Sequence, residues 1–200
     1  MKQLTSSDLK KIRANIRIWF NRATESEKVE GMLWYKDAQS TASELSSIFD
    51  VSREVAAGVI SALSPNNKWE RNKLDAASVL SAVKSGAPME SVKVCTYSVN
   101  KAKAFAIAKG ELSIERTAPK TFAFAKNVGN MDERYVTIDK WHLRACQSTS
   151  LTPKKLSEAC SAKQYKQIEE ATFQVASEYG LKAYELQAIV WVTIRNRWMN

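Results

Sequence analysis

Apolar residues recur at three- and four-residue steps along most of this chain, and that spacing predicts a succession of amphipathic helices. The first covers residues 5–23, with Leu9, Ile12, Ile16, Trp19 and Phe20 on one face and Ser6 or Ser7 as its cap. A polar connection over 24–31 leads to a second helix over 32–49, whose stripe is Trp34, Ala38, Ala42, Leu45, Ile48 and Phe49. Ser52 caps a third, over 53–63, in which Ala56, Ala57, Gly58, Ser61 and Ala62 leave room for a closely packed neighbour. Ser64-Pro65 ends it, because the residue before a proline disfavours the helical region. A helix over 68–85 then turns Leu74, Ala77, Val79 and Leu80 inward and leaves through Gly86. Another, over 91–109, carries Val99, Ala102, Phe105 and Ala106.

Pro119 opens a short helix to about residue 127, where its missing N–H costs nothing, and Gly129 is its expected exit. Val136-Thr137-Ile138 is a β-branched extended segment that runs into Asp139, the expected N-cap of a helix over 140–145. Residues 148–153 form the clearest loop. Two helices follow, over 162–179 and 183–198, and the second is apolar almost all round, as a buried helix is. On it Gln187, Trp191 and Arg195 share one face; a buried Gln and Arg need partners, so this face closes on a carboxylate or lines a pocket.

Few turn formers interrupt this pattern: six glycines and four prolines in 200 residues. The expected fold is therefore all-α, built of many helices. It reads as one helical domain over 1–200, with N-terminal helices over 1–50, a core over 51–147 and a C-terminal helical pair over 148–200 packing back on that core. No apolar run approaches the ~20 residues that span a bilayer, and the N-terminus lacks a continuous signal-peptide apolar region. A cytoplasmic location without a membrane partner is the expectation.

Charge adds a partner. Thirty Lys and Arg against 21 Asp and Glu give a net +9 and a pI near 9.5, which favours polyanions, nucleic acid first. The basic face of the first helix (Lys10, Lys11, Arg13, Arg17, Arg22) is either solvated or phosphate-facing. Cys95, Cys146 and Cys160 are scattered, without the CxxC spacing of a thiolate site, and read as buried or idle thiols. With one histidine, His142, no transition-metal site or other cofactor is expected, although a carboxylate-bound magnesium stays open. No GxSxG, P-loop, HExxH or GxGxxG motif frames another chemistry.

Candidate chemistry concentrates in two places. The turn after Pro65 packs Asn66, Asn67, Lys68, Trp69, Arg71 and Asn72 together, side chains that hydrogen-bond base edges, stack on bases or grip phosphates. Turn duty for the asparagines and a core role for Trp69 are the alternative. The second place is the stretch from Pro119 to Ala145. Lys120-Thr121 opens a helix, and 19 residues after the Lys an Asp heads another helix in the context VTIDKWHLRA. This pattern, with the apolar helix ending in Leu63-Ser64-Pro65, resembles the core of the helix-hairpin-helix DNA glycosylase superfamily over about residues 53–146. The resemblance implies that fold, a compact multi-helix orthogonal bundle, with Lys120 as the amine that attacks the sugar C1′, and Asp139 as the carboxylate that stabilises the developing cation or activates the nucleophile. Where the family carries a glycine-rich LPGVG turn, this chain has Glu115-Arg116-Thr117-Ala118-Pro119, without glycine's close backbone approach.

On that reading Trp141 or Trp69 stacks on an extruded base and Asn66, Asn67 and Gln187 read its edge, with His142, Trp191 and Arg195 nearby. His142 is otherwise a satisfied helix residue, and Asp139 a structural cap. The segments SPNNKWERN and ELQAIVWVTIR also resemble phage-encoded proteins of unassigned function. Three functions follow: a base-processing enzyme, a DNA-binding protein with the fold but without the chemistry, and a host-takeover factor that binds protein.

Overall fold

The computed structural model describes residues 3–115, 117–130, 132–150 and 156–198. Arg116, the 151–153 part of the expected loop and the side chain of Trp198 lie outside the described residues. Among those described there are nine α-helices and no strand, so the all-α expectation holds. Among the described residues no helix is long and apolar enough to cross a membrane. The chain divides into two units, residues 1–36 with 133–200, and residues 37–132. The sequence had put its internal boundaries at 50 and 147.

The first unit holds α1 (Ser6–Arg22), the beginning of α2 (Glu25–Phe49), α7 (Lys140–Gln147), α8 (Ala162–Glu178) and α9 (Ala183–Trp198). Helices α7, α8 and α9 each pack on α1, and α9 also meets α7 and α8. Ile12, Ile16, Trp19 and Phe20 of α1 join Leu143, Ile168, Val175, Leu186, Ile189 and Ile194 in one core. Fully burying a side chain such as Ile16 contributes about 1.5–3 kcal/mol. The basic face of α1 serves this packing: Arg17 pairs with Glu178 at 2.6 Å and Arg13 donates to Gln174, both on α8. Its cap is Thr5, in a reciprocal capping box with Asp8, rather than Ser6 or Ser7.

The expected connection over 24–31 is helix. Thr24 and Glu27 satisfy each other's backbone N–H groups, at 2.8 and 3.2 Å, as a T-x-x-E capping box does. Gly31, which read as a break, lies inside α2 because the backbone of α9 passes against it. A Cβ there would stand 2.5 Å from Ile189 Cα.

The second unit gathers the rest of α2 with α3 (Arg53–Leu63), α4 (Trp69–Ser85), α5 (Ser98–Ala108) and α6 (Pro119–Val128). Helix α3 is its centre, buried from Ala56 through Leu63 and packed on α4, α5 and α6. The inward faces depart from the pattern at several places. Ile48, Leu74 and Val99 are 63%, 62% and 72% exposed, so none is core. On α4 the face is completed by Asn72 and Asp75, polar residues that an apolar count passes over. On α5, alternating alanines leave the stripe undecided, and Ala104, Phe105 and Ile107 set it. That helix starts at Ser98 rather than near 91, after a 3-10 turn over Met89–Ser91. Gly129 keeps an ordinary φ of −75°, and Asn130 takes the left-handed exit at φ 52°. Of the thiols, Cys146 is buried, Cys160 half-buried and Cys95 exposed; all three are free.

Candidate functional site

Asp139 is delivered by the extended segment before it. Residues 136–138 have no strand partner, and side chains replace one. Val136 N–H donates to Glu169 Oε1 at 2.8 Å, the Tyr165 hydroxyl donates to the Val136 carbonyl at 2.7 Å, and Ile138 N–H donates to that hydroxyl at 3.0 Å. Tyr35 of α2 and Thr137 share a hydroxyl contact at 3.0 Å. The segment is buried, so these side chains satisfy backbone groups that water does not reach. Burial pushes the Glu169 carboxyl up and the Tyr35 and Tyr165 hydroxyls far above their usual range, so both tyrosines remain neutral donors.

Asp139 then caps α7 as expected. Its Oδ1 accepts from the amides of Trp141 at 3.0 Å and His142 at 2.9 Å. Its Oδ2 accepts from the indole N–H of Trp191 at 3.1 Å. The face of Gln187, Trp191 and Arg195 was expected to close on a carboxylate or to line a pocket, through its Gln and Arg; the member that meets the carboxylate is the Trp. Arg195 instead lies over the Trp191 ring, 4.1 Å from its centroid, and Trp34 packs 5.8 Å away on α2. Half-buried Trp141 carries Arg144 and Lys140 over its ring at 4.6 and 5.7 Å. A held carboxylate with indoles and cations beside it can stabilise positive charge on a ligand and grip an anion.

Three expected base contacts are corrected by their burial. His142 is fully enclosed; its Nε2 lies 3.0 Å from Thr172 Oγ1, whose own proton goes to the Ile168 carbonyl. The ring is therefore the Nε2–H tautomer, with Nδ1 buried and unpartnered, and burial lowers its pKa to about 4. Gln187 is 4% exposed, and its Oε1 accepts from Tyr35 at 3.1 Å. Asn72, 2% exposed, donates to the Ile60 carbonyl at 3.1 Å. All three hold the interior together.

The turn after Pro65 belongs to the second unit, as does Lys120, an exposed residue in the first turn of α6. Its organiser is a residue that the sequence reading missed. Asp75 is 1% exposed, and accepts from Arg71 Nε at 2.8 Å, Asn67 Nδ2 at 2.9 Å and Cys95 N–H at 2.7 Å. The signal was an Arg71–Asp75 pair at i,i+4 on a face otherwise apolar. Asn66, left-handed at φ 56°, donates to the hydroxyl of exposed Tyr97 at 2.6 Å. Lys68 is exposed and Trp69 half-buried, with Lys73 5.9 Å over its ring. A cavity of about 410 Å³ in the same unit is lined by Val55, Gly58, Ile107, Ile114, Phe122 and the Glu54–Lys126 pair, among others, and by none of the expected site residues.

The positive charge is unevenly shared. The first unit holds 18 Lys and Arg against 11 Asp and Glu, the second 12 against 10. Most of the surplus, +7 of +9, therefore accompanies Asp139. Among the described residues no three His, Cys, Asp or Glu side chains group as metal ligands do.

Fold and site together define an all-helical protein built around a capped, indole-held aspartate. The chain belongs to DUF7178, a family of unknown function, which matches residues 1–198. No curated protein and no solved structure matches it.

Proposed function

We propose that this protein binds DNA and processes a base through Asp139, in the manner of the helix-hairpin-helix glycosylases that its sequence resembles. The observation that carries this reading is the setting of Asp139: a carboxylate fixed by two backbone amides and one indole, in the unit that holds the cationic surplus. Loss of a base leaves cationic character at C1′, and a carboxylate that need not reorganise stabilises it. The target nucleotide has to leave the stack to reach such a group. Lys120 is the amine that the resemblance assigns to attack at C1′, with a Schiff base as the intermediate.

The reading is tested with labelled duplexes that carry uracil, oxidised, alkylated, hydroxymethylated or abasic positions, with and without borohydride. Base release supports it, and a trapped adduct lost in Lys120→Ala assigns the amine; intact substrates throughout remove it. One observation favours a second reading, DNA binding without turnover. As an N-cap, Asp139 already has a structural task, and bound but unaltered duplexes are the outcome which that reading predicts.

A further inference from the structure

We propose that Arg195, lying over the Trp191 indole, receives a nucleic-acid phosphodiester beside the Asp139 carboxylate. The inference rests on the DNA-binding part of the reading above. One indole serves both charges: its N–H edge donates to Asp139 Oδ2 at 3.1 Å, and its face carries the guanidinium at 4.1 Å. The two opposite charges thus share a platform without forming an ion pair, because the carboxylate is engaged by N–H donors of the backbone and the indole.

Arg195 differs from its neighbours in this. Arg197, two residues on, is neutralised by Glu27 at 2.7 Å; Arg17 pairs with Glu178, and Arg144 with Glu158. Among the described residues the Arg195 side chain makes no hydrogen bond and no ion pair; its contact is the ring beneath it. Stacking occupies the face of a guanidinium and leaves its five N–H groups, which lie in the plane, for a ligand. Planar paired donors of this kind fit two oxygens of one phosphate. Half-buried on α9, the group has a fixed direction that a solvated lysine lacks. The unit's surplus of 18 basic over 11 acidic residues makes a polyanion the expected bearer of that phosphate.

The test is duplex binding by fluorescence anisotropy over a series of salt concentrations, for wild type, Arg195→Ala and Arg195→Lys, with circular dichroism as the folding control. One phosphate contact contributes a slope of about 0.9 in log K against log salt. Arg195→Ala is expected to lose about that much, while Arg195→Lys keeps the slope and binds more weakly. An unchanged slope in folded Arg195→Ala overturns the proposal, as does a wild type that binds no duplex at low salt. Should Arg195→Ala not fold, a wild-type affinity in Arg195→Lys overturns it equally. Because the slope is read without turnover, a lowered slope beside an inactive wild type keeps the phosphate receptor and removes only the base processing.

Discussion

The indole N–H of Trp191 meets Asp139 Oδ2 at 3.1 Å, across 52 residues of sequence. This contact ties the head of α7 to the middle of α9 and fixes where the carboxylate stands. Trp191→Phe keeps the ring and deletes the donor. It is expected to cost about 1–2 kcal/mol in chemical denaturation, since the lost hydrogen bond involves a charged group. On the functional reading it lowers turnover while leaving the salt dependence of DNA binding unchanged. A loss of stability with full turnover limits the contact to scaffolding.

His142 gives the protein an acid-side weakness. Its folded pKa of about 4 lies below the value near 6.5 of an unfolded chain. The buried neutral ring therefore supports the fold fully above about pH 6.5. That support fades as pH falls towards 4, because only the unfolded state takes up the proton. The loss amounts to about 3 kcal/mol by pH 4. Denaturation of wild type and His142→Leu between pH 4 and 7 checks it: the difference in stability between the two should shrink or reverse on acidification.

Gly31→Ala reverses a usual expectation. Alanine favours an exposed helix interior by up to about 1 kcal/mol over glycine. Here the added carbon would stand 2.5 Å from Ile189 Cα, and backbone cannot swing aside as a side chain can. A net destabilisation of about 1–3 kcal/mol is expected, seen as a lower midpoint in urea.

Asp75→Ala removes the acceptor shared by Arg71, Asn67 and Cys95. Losing three hydrogen bonds to this buried carboxylate is expected to cost about 2–3 kcal/mol. Hydrogen exchange should rise at Cys95, whose N–H bonds to that carboxylate. Unaltered protection there would mean that the turn holds its shape without Asp75.

Much of this architecture was legible in the spacing of apolar residues, because a helix that buries one face must repeat near 3.6 residues. The stripe of α1, the all-round apolar α9 and the small-residue core of α3 follow from it, whereas the Asp139 cap follows from the residue type that heads α7. What escaped was polar burial. Asn72, Asp75 and His142 are interior because each found a partner in another element, and a partner distant in sequence leaves no periodic trace; Gln187 alone was read as buried, from its place on an all-apolar helix. The start of α2 was hidden differently: Gly31 read as a break, although the Thr24–Glu27 capping box announced the helix. The face of Gln187, Trp191 and Arg195 was read as closing on a carboxylate or lining a pocket, and Trp191 meets the carboxylate. Which member takes it depends on the approach of α7 to α9, a matter of tertiary packing.

Asp139→Asn bears most directly on the central claim. Asparagine caps a helix about as well as aspartate and removes the charge, so the variant separates the cap from the chemistry. Base release is measured on the most reactive duplex for the wild type and for the variant, with affinity measured in parallel. The account predicts turnover reduced by several orders of magnitude, with the α7 cap and DNA affinity retained and stability lowered only by loss of the Trp191 indole bond, which the asparagine Nδ2 cannot accept. Release by the variant at the wild-type rate would contradict it and leave Asp139 as a helix cap alone.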